Sequence, residues 1–164
     1  MEFCEIRDFK EEDLPQMVEV WNEVVKDGVA FPQEECLNVD TARDFFSSQD
    51  RCRVAVSTDG EILGLSIVHP NAFGRSGHIA NASYAVTSKH RGMHIGYKLV
   101  CDSLDVAKNR GYRILQFNAV VASNVHACHL YERIGFQKIG CIKGGFRNKN
   151  GEYEDMFAYY YPLV

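Results

Sequence analysis

What the 164-residue chain lacks narrows its function first. No stretch approaches the roughly eighteen consecutive apolar residues of a membrane-crossing helix. The opening Met-Glu-Phe-Cys-Glu-Ile-Arg shows no basic-then-apolar export signal. The expectation is a soluble, cytoplasmic protein with no membrane partner. Basic residues are also short: 18 Lys and Arg face 22 Asp and Glu, a formal charge of −4. A nucleic-acid binder usually carries a basic excess or stripe. The small basic groups here, Lys89–His90–Arg91 and the scatter from Lys138 to Lys149, read as solvated surface, so no nucleic-acid partner is expected. Four Pro and thirteen Gly are too few for collagen-like or linker sequence. Six cysteines occur without a CxxC pair, which argues against a zinc knuckle or a thioredoxin-like site. Scattered in apolar settings, they read as buried thiols in a reducing compartment.

What is present is an ordinary globular composition, 46% apolar and 24% charged, at a length suited to one domain spanning residues 1–164. Residues 2–9 read as an edge strand. Leu14, Met17, Val18, Trp21, Val24 and Val25 share one helical face over 11–27, and Gly28 stops that helix. A loop follows around Pro32, then a second helix over 40–49 with Asp40 as N-cap. Strands over Arg53–Ser57 and Ile62–His69 flank a hairpin turn at Asp59–Gly60. A third strand covers 78–87, a helix 93–110, a central strand 113–121, a short helix 124–134, and two late strands about 136–142 and 153–161. This order predicts one mixed α/β domain in which the strand–helix–strand segment pairs in parallel through a right-handed crossover.

The stretch Tyr84–Gly96, YAVTSKHRGMHIG, carries the chemistry. A strand ends, a basic turn follows and a helix begins. Helix N-termini present unpaired N–H groups and a positive dipole end; Gly92 and Gly96 leave room for a phosphate at the backbone, and Arg91 adds a charge-assisted donor. The spacing is neither a Walker loop nor a dinucleotide fingerprint. By itself RGxxxG reads equally well as a plain helix start with a turn glycine. A second segment, Ser123–Phe136, places Asn124 and Tyr131 two helical turns apart on one face; alone, Tyr131 would read as a core residue beside Leu130.

Together, strand–RGxxxG helix–strand–Asn…LYERxGF closely resembles the GNAT superfamily of N-acetyltransferases. The later QFNAVVASN…LYERIGF…GGFR…GEYEDMFAYYYPL looks like its branch of phosphinothricin-type and amino-acid-analogue acetyltransferases. The resemblance implies a central, mostly antiparallel sheet with one splayed parallel pair, flanked by about four helices. It implies acetyl-CoA as co-substrate, with its pyrophosphate on Arg91, Gly92, Met93, His94, Ile95 and Gly96. Arg91 and Gly96 match the family cradle, whereas His94 stands where glycine is usual. The backbone of Tyr84, Ala85 and Val86 is expected to hold the pantetheine arm, Asn124 to bond it, and Tyr131 to protonate the leaving thiolate as general acid.

The acceptor implied by the resemblance is a primary amine of a small molecule, with Asn81, Ser83 and Phe31 as contacts. A satisfied polar pair and a plain core phenylalanine are the alternative readings of those three residues. The glutamate that relatives use as base on the fourth strand is matched by Asn81, which cannot act as one; a water chain, or a carboxylate elsewhere such as Glu34, Glu35 or Asp155, remains as a candidate. His126 with His129, and His90 with His94, do not complete a metal motif, so no metal is expected. A homodimer is implied by resemblance alone. Two further readings stay open: a CoA-binding sensor with decayed catalysis, and a protein acetyltransferase acting on lysine or N-terminal amines.

Overall fold

A computed structural model describes residues 4–164; residues 2 and 3 of the expected first strand lie outside the described residues. The element order is β1 (Glu5–Asp8), α1 (Leu14–Asp27), α2 (Val39–Ser47), β2 (Arg51–Val56), β3 (Ile62–Pro70), β4 (Ile79–Val86), α3 (Ile95–Asn109), β5 (Ile114–Val121), α4 (Val125–Ile134), β6 (Gln137–Arg147) and β7 (Tyr153–Pro162). The seven strands form one sheet in the order β1-β2-β3-β4-β5-β7-β6. Among the described residues only β4 and β5 run parallel, joined by the α3 crossover. This is the expected α/β fold with a mixed sheet.

The apolar stripe of α1 explains its seat. Leu14, Met17 and Trp21 are fully buried and join Phe46 of α2 over β2 and β3. Gly28 adopts the left-handed conformation and ends the helix (φ 62°), as its position predicts. The opposite face of the sheet carries α3, through Ile95, Leu99 and Val100, and α4, which closes over Phe117, Phe136 and Tyr159.

Two expectations need correction. The N-cap of α2 is Asn38, not Asp40: the Asn38 side chain accepts from the Thr41 N–H and Thr41 Oγ accepts from the Asn38 N–H, both at 2.9 Å. Asp40 lies two positions inside, where it pairs with Arg43. The segment left between the two expected late strands, 143–152, is strand in its first half. β6 continues to Arg147, because β7 pairs with it through two register shifts.

The entry to α1 is fixed by one buried carboxylate. Asp13 is only 6% exposed. It accepts from Arg7 through both oxygens (2.7 and 3.0 Å) and from the Lys10 N–H at 2.7 Å. Burial pushes the Asp13 carboxyl up, but the Arg7 guanidinium and the Lys10 N–H outweigh it and hold the group below the usual carboxylate range. The resulting stability is therefore present above the unfolded carboxylate pKa near ~3.9 and is lost as pH falls through the lower folded value. Asp13→Asn is expected to lower the unfolding free energy by about 2 kcal/mol at neutral pH. In urea titrations the gap from wild type should close only below about pH 4.

Candidate active site

The site begins where a ladder fails. β4 and β5 pair only at Ile79↔Ile114 and Ala80↔Leu115 and then diverge. The Asn71 N–H donates to the Ile79 carbonyl and the Thr87 N–H to the Leu63 carbonyl, and the β3–β4 register is continuous between them. By antiparallel alternation, Asn81, Ser83 and Ala85 turn their backbone groups to β3, and Ala82, Tyr84 and Val86 turn theirs to the gap. Tyr84 and Val86 thus present backbone groups to a ligand in the gap. The expectation for Ala85 does not hold, because its N–H is directed to β3. The backbone of Ala82, which the sequence reading missed, faces the gap instead. The gap opens a cavity of about 820 Å³, within the range of small-ligand and cofactor sites.

At one end of the cleft the chain turns from β4 into α3. Arg91, Gly92, His94, Ile95 and Gly96 all line it. Gly92 has φ 82°, a conformation that suits glycine. His94 has φ 58° and ψ 20° and caps α3 by its backbone, its carbonyl accepting from the Lys98 N–H at 3.1 Å. It is the one non-glycine residue with positive φ among the described residues. The turn leans on α1: the Ser88 N–H donates to Glu23 (2.9 Å) and Arg91 to Asp27 (3.3 Å). His90 also lines the cleft, and its buried Nδ1 has no hydrogen-bond partner. An orphaned buried nitrogen beside a helix N-terminus fits a ligand bearing polar oxygens.

The wall beneath is aromatic. The Phe117 ring lies 5.8 Å from Tyr84 and 4.6 Å from Tyr131. The Tyr84 hydroxyl lies 2.6 Å from Ser103 Oγ, and Ser103 donates to the Val100 carbonyl. Tyr131 has no side-chain hydrogen-bond partner among the described residues, and it lines the cleft. Burial, with Cys128 nearby, raises the Tyr131 phenol well above its ordinary value. Asn124 caps α4, its Oδ1 accepting from the Ala127 N–H at 3.3 Å, so its NH₂ is the part left for a ligand.

The other end of the cleft is walled by the loop after α1. Phe31 is both a core residue, 4.4 Å from the Trp21 ring, and a cleft residue. Asn22 clasps this loop by exchanging two 2.8 Å hydrogen bonds with the Leu37 backbone. Asn81, Ser83 and Asn118 line the facing sheet. The candidate bases lie elsewhere. Glu34 accepts from Arg147 at 2.7 Å, Asp155 accepts from Lys143 at 2.9 Å, and Glu35 is exposed and off the cleft. Asp27, which holds Arg91, is the one carboxylate in the lining. Among the described residues no three His, Cys, Asp or Glu side chains gather as a metal site, and no helix is long and apolar enough to cross a membrane.

The sequence profile of the acetyltransferase (GNAT) family matches residues 11–136. N-acetyltransferase aca1 of Schizosaccharomyces pombe is 29% identical over 169 residues, which cover 93% of this chain and 81% of that one. A GCN5-related N-acetyltransferase from Kribbella flavida is 31% identical, with a TM-score of 0.89 and 97% of both chains covered. A phosphinothricin acetyltransferase from Sinorhizobium meliloti, solved with AcCoA, gives a TM-score of 0.90 at 21% identity over 98% of this chain and 88% of that one. At that identity the likeness is one of fold.

The strained turn makes a direct prediction. A left-handed residue with a side chain costs about 1–2 kcal/mol, and glycine gives back about 0.4–1 through the unfolded chain. His94→Gly should therefore raise stability by about 0.5 kcal/mol, and His94→Val, β-branched at positive φ, should lower it by about 1–2 kcal/mol. Thermal and urea denaturation of both variants measure this.

Proposed function

The chain belongs to the acetyltransferase (GNAT) family, and on that premise we propose that it transfers the acetyl group of acetyl-CoA to a primary amine of a small molecule, as an acetyltransferase of the phosphinothricin and amino-acid-analogue type. The observation that carries this reading is the cleft between the parted β4 and β5. It runs from the Arg91–Gly96 turn to the Phe31 wall, with Tyr131 in its lining.

The roles follow from what each group offers. Arg91 and the backbone of Gly92, Met93, His94, Ile95 and Gly96 hold the pyrophosphate, with Arg91 released from Asp27. Tyr84 and Val86 offer backbone hydrogen bonds to the arm, and Asn124 offers its NH₂. The donor supplies an electrophilic thioester carbon and a thiolate leaving group. A backbone N–H from β4 that meets the carbonyl oxygen as it becomes an oxyanion contributes about 3 kcal/mol. Tyr131 holds its proton through the neutral range because burial raises its pKa. The same shift makes full proton transfer to a thiolate whose thiol has a pKa near ~8.5 more uphill. Tyr131 therefore works first as a hydrogen-bond donor to the departing sulfur, and its proton follows as charge collects there. Asn81, Ser83 and Phe31 face the acceptor, which must reach them as the free base; after attack its nitrogen sheds one proton to solvent, and the Tyr131 phenol is restored from solvent.

Acetyl-CoA turnover against amino acids, phosphinothricin and related analogues, polyamines and peptides tests the reading, with CoA binding followed by calorimetry on the same sample. Turnover on a small amine supports it. Turnover on peptides alone moves the assignment to protein amines, binding without turnover to a sensor, and absence of CoA binding ends it. Tyr131→Phe should lower kcat by about 10²–10³ while CoA affinity changes less than threefold. For wild type, kcat/KM should rise with pH until the acceptor is deprotonated. No falling limb from Tyr131 should appear below the ordinary phenol pKa near ~10.

The long exposed edge of β6 favours pairing with a second copy. Equilibrium sedimentation giving twice 18.6 kDa supports that dimer, and the single mass rejects it.

A further inference from the structure

Where the β4–β5 ladder stops, side chains take over. Asn71 follows β3 and is tied to the foot of β4 by its N–H, which donates to the Ile79 carbonyl at 2.8 Å. Ile79 is also the first residue at which β4 still pairs with β5. The Asn71 side-chain oxygen accepts from Asn81 Nδ2 on β4 at 3.1 Å and from Asn118 Nδ2 on β5 at 2.6 Å. Gln116 extends the chain by donating to Asn118 Oδ1 at 3.0 Å. One amide oxygen thus bridges both diverging strands beyond their last backbone pair. Asn81 and Asn118 line the cleft; Asn71 does not.

We infer that Asn71 is a positioning residue: it sets the separation of β4 and β5 at the acceptor end and fixes the rotation of the Asn81 amide. With one N–H of its amide donated to Asn71, Asn81 keeps Oδ1, which has no protein partner among the described residues, for the N–H of an incoming amine. An amide that is free to flip would present its oxygen or its NH₂ at the same place in turn; one that is held keeps the oxygen at a fixed position. The role uses Asn71 only as a double acceptor. Aspartate, with oxygens at the same position, reproduces it, and alanine does not. The inference rests on the small-amine reading for its kinetic consequence, but the bridge itself stands apart from that reading.

The test therefore has two arms. In ¹⁵N-labelled protein, the side-chain NH₂ signals of Asn81 and Asn118 should exchange slowly in wild type. In Asn71→Ala they should exchange at least about fivefold faster, while CoA affinity by calorimetry stays within threefold. With the panel amine of highest kcat/KM, Asn71→Ala should raise the acceptor KM about tenfold and the acetyl-CoA KM less than threefold, and Asn71→Asp should recover most of the loss. Asn71→Ala and Asn81→Ala should be non-additive in kcat/KM, since each breaks the same contact. Unchanged amide exchange in Asn71→Ala overturns the bridge. Faster exchange with an unchanged acceptor KM, or with additive effects, overturns the positioning role. If wild type binds CoA and turns over no small amine, the exchange arm still decides the bridge, and it is the proposed acceptor class that fails.

Discussion

Two parallel strands that pair for two residues and then part are the constraint on which the rest of this structure depends. A gap in a ladder leaves backbone donors and acceptors without partners, and such groups are costly unless something satisfies them. The gap persists because its flanks are filled. Tyr84, Phe117 and Tyr131 pack on one face, and side-chain amides bridge the other. The cleft therefore follows from how the sheet is filled on each side, with its unspent backbone groups available to a ligand that can pair with them.

Helix α1 serves both ends of that cleft. Glu23 and Asp27 hold the turn that leads into α3, while Asn22 clasps the loop that carries Phe31. The three residues span about one and a half turns. A shift of α1 would be felt at the turn and the wall together. The helix is anchored by the burial of Trp21, Met17 and Leu14 and by the Asp13 carboxylate at its entry, so core packing and site geometry are one problem.

Much of this was legible beforehand. The 3.6-residue stripe of α1, the stop at Gly28 and the parallel crossover follow from periodicity and turn chemistry, and the helices and strands came out in the expected order. The misses have physical causes. Asn38 and Asp40 are both good caps, and the reciprocal bonds with Thr41 decide between them. The end of β6 lacks strand character of its own and borrows it from β7. His94 was visible as a departure from glycine, but its positive φ is a backbone property that spacing does not carry. Asn71 carried no signal, because its partners lie 10 and 47 residues away. Glu34 and Asp155 looked available in sequence, but they are engaged by Arg147 and Lys143.

The place of β7 has a consequence for how the molecule comes into being. It follows β6 in the chain yet lies between β5 and β6 in the sheet, and its Tyr159 is wholly buried at the centre of the second core. As the chain leaves the ribosome, everything up to Arg147 emerges with the aromatic faces of β5 and α4 still uncovered and with β6 lacking β7, its neighbour in the sheet. Residues 153–162 must then enter between two waiting segments. Such late, non-local strand insertion is slow and leaves apolar surface exposed meanwhile. The first half of the sheet, whose strands pair in sequence order from β1 to β4, can form during synthesis, whereas the half that forms the far wall of the cleft is completed last.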